Sequence, residues 1–135
     1  MKHGHHVIHP AKEWQIRPEA KKVRDTPSLI VPMGPYAHNK LHRNCPPLPL
    51  LGYHALQTVV REFTPTRDTM ETLDSLVYAI EQAARHPRAY QVERGVARLA
   101  IDALETQRPF LQEALQVDEL ALFPLTEIPG YGQVA

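Results

Sequence analysis

The sequence predicts an α+β fold, in which a short strand–strand–helix segment at the front precedes a small α-helical bundle. The 135 residues suffice for one ordinary domain, and 43% of them are hydrophobic, which is enough for a core. The front third is punctuated by prolines and has only short apolar stretches. Further along the chain, apolar residues recur at the three- and four-residue spacing of helices.

The front segment contains two predicted strands and a predicted helix. Val7-Ile8 lies in a short extended stretch, and residues 28–31 are β-rich and bounded by prolines. Pro35 can occupy the first turn of a helix, which Pro46-Pro47 must end. Residues 18–25 between the strands are expected to form one or two helical turns.

The back of the chain is predicted to form helices over residues 50–63 and 68–86, and from residue 90 onward. Asp68 and Glu71 have the spacing of a helix cap. Pro109 is expected to stop or kink the third helix, leaving one more short turn over residues 110–115. We therefore predict three regions: a front segment at 1–47, a helical bundle at 48–117 and a loosely ordered tail at 118–135.

The charge is distributed unevenly along a chain whose formal net charge is +0. Residues 1–45 carry eight Lys or Arg against three acidic residues, whereas the remainder carries seven Arg against 12 acidic residues. This asymmetry predicts a polyanionic partner for the front, with attraction between the two halves as the alternative that composition leaves open. The acidic helices are expected to support the front, form a homodimer or dock a protein partner.

The cellular setting is predicted to be cytoplasmic. Cys45 is the single cysteine and cannot form an internal disulfide. No apolar stretch approaches the length needed to cross a bilayer, and no secretory signal is evident, so no membrane association is expected.

Histidines are concentrated in the front segment, which holds six of the eight. His5 and His6 are adjacent near the first strand and should point to opposite faces. His38 and His42 are four residues apart on the predicted helix and should project from the same side. Such a pair can share a metal ion, and one strand histidine would complete a three-imidazole site with open positions.

These motifs, in this order, resemble the ββα-metal core of the HNH endonucleases, the group that includes the colicin DNases. The residues that carry the resemblance are Gly4-His5-His6-Val7-Ile8-His9-Pro10, Pro27-Ser28-Leu29-Ile30-Val31-Pro32 and Ala37-His38-Asn39-Lys40-Leu41-His42-Arg43. The resemblance covers about residues 3–45. It implies a metal-dependent enzyme that hydrolyses DNA phosphodiester bonds, and a free-standing enzyme of this kind would suit a phage or other mobile element.

The resemblance also implies individual roles. His5, His38 and His42 would hold one divalent metal ion, and His6 would be the general base that deprotonates the attacking water. Ser28 takes the place of the family's asparagine, which orders the loop beside the base. Candidate phosphate contacts are Lys22, Arg24, Lys40 and Arg43. Imidazole ligands favour Zn²⁺, Ni²⁺, Co²⁺ or Mn²⁺ over an all-oxygen Mg²⁺ site, although the sequence leaves the identity of the ion open.

Two alternatives remain open at this stage. Cys45 follows His42 by three residues, so it is an alternative metal ligand in a structural zinc site. The protein would then be a zinc-stapled or catalytically inactive HNH-like interaction protein. A helical protein-binding module with a basic arm is a further alternative.

Overall fold

The computed structural model of the protein describes residues 3–8, 17–49, 51–87, 89 and 91–121. Over these residues the protein is mostly helical and has a small two-stranded antiparallel sheet, in agreement with the predicted α+β class. The strands are β1 (His3–His6) and β2 (Ile30–Met33), and the helices are α1 (Pro18–Arg24), α2 (Pro35–Asn44), α3 (Tyr53–Glu62), α4 (Thr69–Arg85) and α5 (Gln91–Ala121).

The sheet pairs His5 with Val31 and His6 with Ile30. β1 begins before the predicted stretch at Val7-Ile8, and both of those residues are buried directly after the strand. β2 begins two residues later than predicted, because residues 27–29 form a short 3₁₀ turn. Proline at the first position of that turn favours a helical rather than an extended start.

The helices of the front and middle follow their sequence signals. α2 starts at Pro35 and ends before Pro46-Pro47, as predicted. α4 is capped by Asp68, whose carboxylate accepts a hydrogen bond of 2.9 Å from the backbone N–H of Glu71. This cap satisfies a backbone donor that the first helical turn would otherwise leave unbonded.

Pro109 was predicted to stop or kink the last helix. It does not stop the helix, since α5 runs through Pro109 without a break. Proline inside a helix removes one backbone hydrogen bond and costs about 3 kcal/mol. Leu104 and Leu111, on either side of it, are fully buried. Their burial offsets that cost, so the two predicted helical pieces form one helix of 31 residues.

A single hydrophobic core joins the two predicted regions. It includes Leu29 and Leu41 from the front as well as Leu76 and Leu104 from the helices. α5 contacts α4, α2 and β2, so the last helix packs against the front segment as well as against the other helices. Residues 118–121 of the predicted loose tail belong to α5, and the rest of that tail lies outside the described residues.

None of the helices in the described part of the chain is both long enough and apolar enough to span a bilayer.

Leu104→Ala should lower the free energy of unfolding by about 2–5 kcal/mol, because it leaves a cavity in the shared core. Leu99→Ala is the matched control, since Leu99 lies on the same helix and is 60% exposed. Urea denaturation monitored by circular dichroism measures both. Equal losses for the two variants would contradict the position of α5 against the core.

Candidate metal centre

Three of the predicted site residues come together between β1 and α2. One ligand nitrogen from each of His5, His38 and His42 lies within 4.8 Å of the others. Their ring centroids are 4.5 Å apart for His38 and His42, 5.2 Å for His5 and His38, and 5.4 Å for His5 and His42. These three side chains are close enough to hold one metal ion.

The fold explains why these three meet. Side chains alternate across β1, so His5 points inward and is 1% exposed, while Gly4 and His6 face outward. On α2, Leu41 is buried and anchors the helix against the core, which sets His38 and His42 beside the strand. The site is therefore buried on the side of the strand and open to solvent on the side of the helix.

The donor chemistry fits a divalent ion that prefers nitrogen. The Nε2 atoms of His38 and His42 lie 2.9 Å apart, both directed to the space between their rings. Two nitrogens bound to one Zn²⁺ at about 2.0–2.1 Å are about 3.4 Å apart in a tetrahedral site, so side-chain movements of about 1 Å suffice. Imidazole ligands suit Zn²⁺, Ni²⁺ and similar ions.

A side chain of α5 is hydrogen-bonded to the His5 ring. Nε2 of His5 lies 2.9 Å from Oε1 of Gln107, and Nε2 of Gln107 donates to the backbone carbonyl of Val7 at 3.0 Å. Gln107 is itself buried, at 4% exposure. Sequence reasoning missed this residue, and the sequence carries no signal for it, because 102 positions separate it from His5.

His3 is a fourth histidine at the site. Its Nδ1 lies 3.3 Å from Nδ1 of His38, and the two rings meet edge to face. The sequence did carry a signal for this residue, because His3 and His5 are two apart on a strand and must share a face. The predicted ligand set did not use that signal.

His6, the predicted base, lies outside the three-histidine group. Its Nε2 is 3.8 Å from Oδ1 of Asp25, at the outer face of β1. The pKa of Asp25 is lowered, first by a hydrogen bond from Arg24 and also by the charges of Arg24, His6 and Lys21. A carboxylate therefore stands beside the His6 ring, and the role of His6 as base stays a prediction.

The predicted phosphate contacts differ in their surroundings. Arg24 binds both carboxylate oxygens of Asp25, at 2.9 and 3.1 Å, whereas Lys22 is exposed. Lys40 and Arg43 are exposed on α2. At about 100° per residue, Lys40 lies about 160° around the helix from both His38 and His42, whereas Arg43 lies about 100° from His42. Helix geometry favours Arg43 over Lys40 for a phosphate at this site.

Cys45, the alternative ligand, is not part of the histidine group. It lines a cavity of about 170 Å³ together with His5, His42 and Gln107. Burial raises the pKa of its thiol. The thiol therefore lies next to the histidine group without belonging to it.

Ser28 takes part in an anchoring contact. Its hydroxyl lies 2.9 Å from the hydroxyl of Thr72, which is fully buried on α4. Thr72 also bonds the backbone of Thr66. This hydroxyl cluster ties the start of β2 to the helices, and the predicted role of Ser28 beside a catalytic base stays a prediction.

Comparison with known proteins gives no relative from which a role could be taken. The chain matches no family model, no curated protein and no solved structure at a significant level.

Zn²⁺ should bind with a stoichiometry of one and raise the melting temperature, since binding to the folded state stabilises it by about 2.7 kcal/mol at 100 times the dissociation constant. His42→Ala should abolish this rise. The measurements are isothermal titration calorimetry and thermal denaturation of chelator-treated protein.

His54→Ala is the control for removing an imidazole, because His54 is exposed on α3 and is not part of the group. Cys45→Ser should leave the affinity within about twofold. A strong loss of affinity in Cys45→Ser would instead favour the cysteine-containing zinc site.

Proposed function

We propose that the protein is a metal-dependent endonuclease of the HNH type that hydrolyses phosphodiester bonds of DNA. The observation that carries the proposal is the convergence of His5 from a strand with His38 and His42 from one helical face. This is the ligand arrangement that the resemblance to the ββα-metal core implies. It arises here in the segment with the excess of basic residues.

The histidines would hold the metal through neutral nitrogens and add no negative charge to the centre. Three protein ligands leave coordination positions for water and substrate, as catalytic sites require. A divalent ion bound there would supply Lewis-acid stabilisation of the charge that develops on the phosphate oxygens. Arg43, exposed on α2, would attract the phosphate backbone from solvent.

His6 would accept a proton from the attacking water. One peptide bond joins it to His5, so their Cα atoms are about 3.8 Å apart and a phosphodiester at the edge of β1 can reach both sides of the strand. The carboxylate of Asp25, 3.8 Å from the His6 ring, would favour the imidazolium that forms. A general base of this kind contributes typically about 10²–10⁴-fold to the rate.

Purified protein should nick supercoiled plasmid after metal is restored to chelator-treated samples, tested with Mg²⁺, Mn²⁺, Ni²⁺ and Zn²⁺ separately. His6→Ala should keep its metal and lose about 10²–10⁴-fold in nicking rate, whereas His42→Ala should lose both. His54→Ala is the control. A wild type that never nicks, or a His6→Ala variant that nicks at the full rate, would contradict the proposal.

A second function is favoured by one observation. His3 stands next to His38, so His3, His5, His38 and His42 together could fill all four positions of a tetrahedral zinc site. A closed site of that kind is structural, and the protein would then be a zinc-stapled interaction protein.

His3→Ala separates the two functions. In the endonuclease, the variant should lose no more than about 10–100-fold in metal affinity and still nick DNA, since that is the typical cost of removing a residue outside the ligand set. In the zinc-stapled protein it should lose the metal as severely as His42→Ala does. Zinc affinity by competition with a chromophoric chelator measures the difference.

A further inference from the structure

The orientation of the Gln107 side chain follows from its two buried partners. The Val7 carbonyl can only accept a hydrogen bond, so the Gln107 atom 3.0 Å from it must be the amide NH₂ group. The oxygen of the same amide then faces His5 at 2.9 Å and can only accept. The Val7 peptide is fixed in turn, since its N–H donates to Leu29 at 2.9 Å.

This orientation determines where the His5 ring carries its proton. An acceptor oxygen opposite Nε2 requires hydrogen on Nε2, and the neutral ring then has its lone pair on Nδ1. His5 is 1% exposed, so water has little access to compete for Nε2. The amide therefore selects one tautomer and leaves Nδ1 as the atom that can bind a metal.

We propose that Gln107 is a positioning residue of the metal centre, which fixes the Nε2–H tautomer of His5 and so assigns Nδ1 as its ligand atom. The proposal rests on the metal centre of the proposed function and adds α5 to it. A hydrogen bond to the second nitrogen of a ligating imidazole fixes both tautomer and ring orientation, and its loss typically costs about 10–100-fold in metal affinity.

Because the amide is uncharged, it changes the basicity of the imidazole less than a charged partner would. A carboxylate at this position would raise the basicity of the imidazole more strongly and add a charge inside the core. Gln107 orients the ring without adding charge. The centre is therefore expected to keep the full positive charge of its ion, which suits an anionic substrate.

The test compares Gln107→Leu with Gln107→Glu and with Gln112→Leu. Leucine removes the acceptor, whereas glutamate keeps an oxygen that can face His5. Gln112 is exposed on the same helix and serves as the matched control. Variants are compared below the melting temperature of each, determined by circular dichroism.

The first readout is the ¹⁵N NMR spectrum of the histidine rings in metal-free protein, with the His5 signals assigned from a His5→Gln variant. Wild type and Gln112→Leu should show His5 protonated on Nε2 alone. Gln107→Leu should show a mixture of both tautomers, and Gln107→Glu should restore the Nε2–H form. The wild-type spectrum tests the proposal even if a variant fails to fold.

The second readout is Zn²⁺ affinity by competition with a chelator. Gln107→Leu should bind about 10–100-fold more weakly, and Gln112→Leu should stay within about twofold. A His5 ring protonated on Nδ1 in wild type, or a folded Gln107→Leu variant with wild-type tautomer and affinity, would overturn the proposal.

Neither readout depends on DNA cleavage, so the two proposals fail separately. A protein that shows these tautomer and affinity changes but never nicks DNA would support the role of Gln107 and overturn only the endonuclease. A wild type that binds none of Mg²⁺, Mn²⁺, Ni²⁺ and Zn²⁺ would overturn both.

Discussion

A buried imidazole needs hydrogen-bond partners inside the protein, because leaving a polar group without one in the core costs about 1–3 kcal/mol. In this chain the Gln107 amide meets that need for His5 and bonds the Val7 carbonyl with its other end. The candidate centre depends on this link, because it holds the first strand in place while α2 brings two further imidazoles to it. The centre is thus built from three separate elements, and the strand contributes its only buried ligand.

The centre combines uncharged ligands with an uneven distribution of charge around it. No carboxylate belongs to the described group of ligand atoms, so a bound cation would keep its charge. Basic residues are concentrated in the surrounding front segment, and the acidic residues lie mostly on the helices behind it. The exception is Asp25, which pairs with Arg24 and stands beside His6 on the other face of β1. The two faces of one short strand therefore carry different chemistry, with nitrogen ligands on one and a His–Asp pair on the other.

Local patterns predicted the elements well and the long-range contacts poorly. Proline positions located both ends of α2, the four-residue spacing of His38 and His42 predicted their shared face, and Asp68 marked the start of α4. The predicted stop at Pro109 was wrong, because helix propensity is a local property and does not include the burial of Leu104 and Leu111 on either side of the proline. Gln107 could not have been found, since a glutamine in an amphipathic helix has no signature that distinguishes a ligand's partner from an ordinary polar residue. His3 could have been predicted, because the alternation of side chains along a strand places it on the same face as His5.

The separation between His5 and Gln107 also bears on how the molecule forms. Contacts between distant parts of a chain form slowly, because a large loop must close before they are made. The first strand leaves the ribosome about a hundred residues before its partner on α5. A nascent or truncated chain that lacks α5 contains all three imidazoles but lacks the amide that orients the buried one. Competence to bind metal in the native manner is therefore acquired only after residue 107 has been synthesised and α5 has packed against the strand.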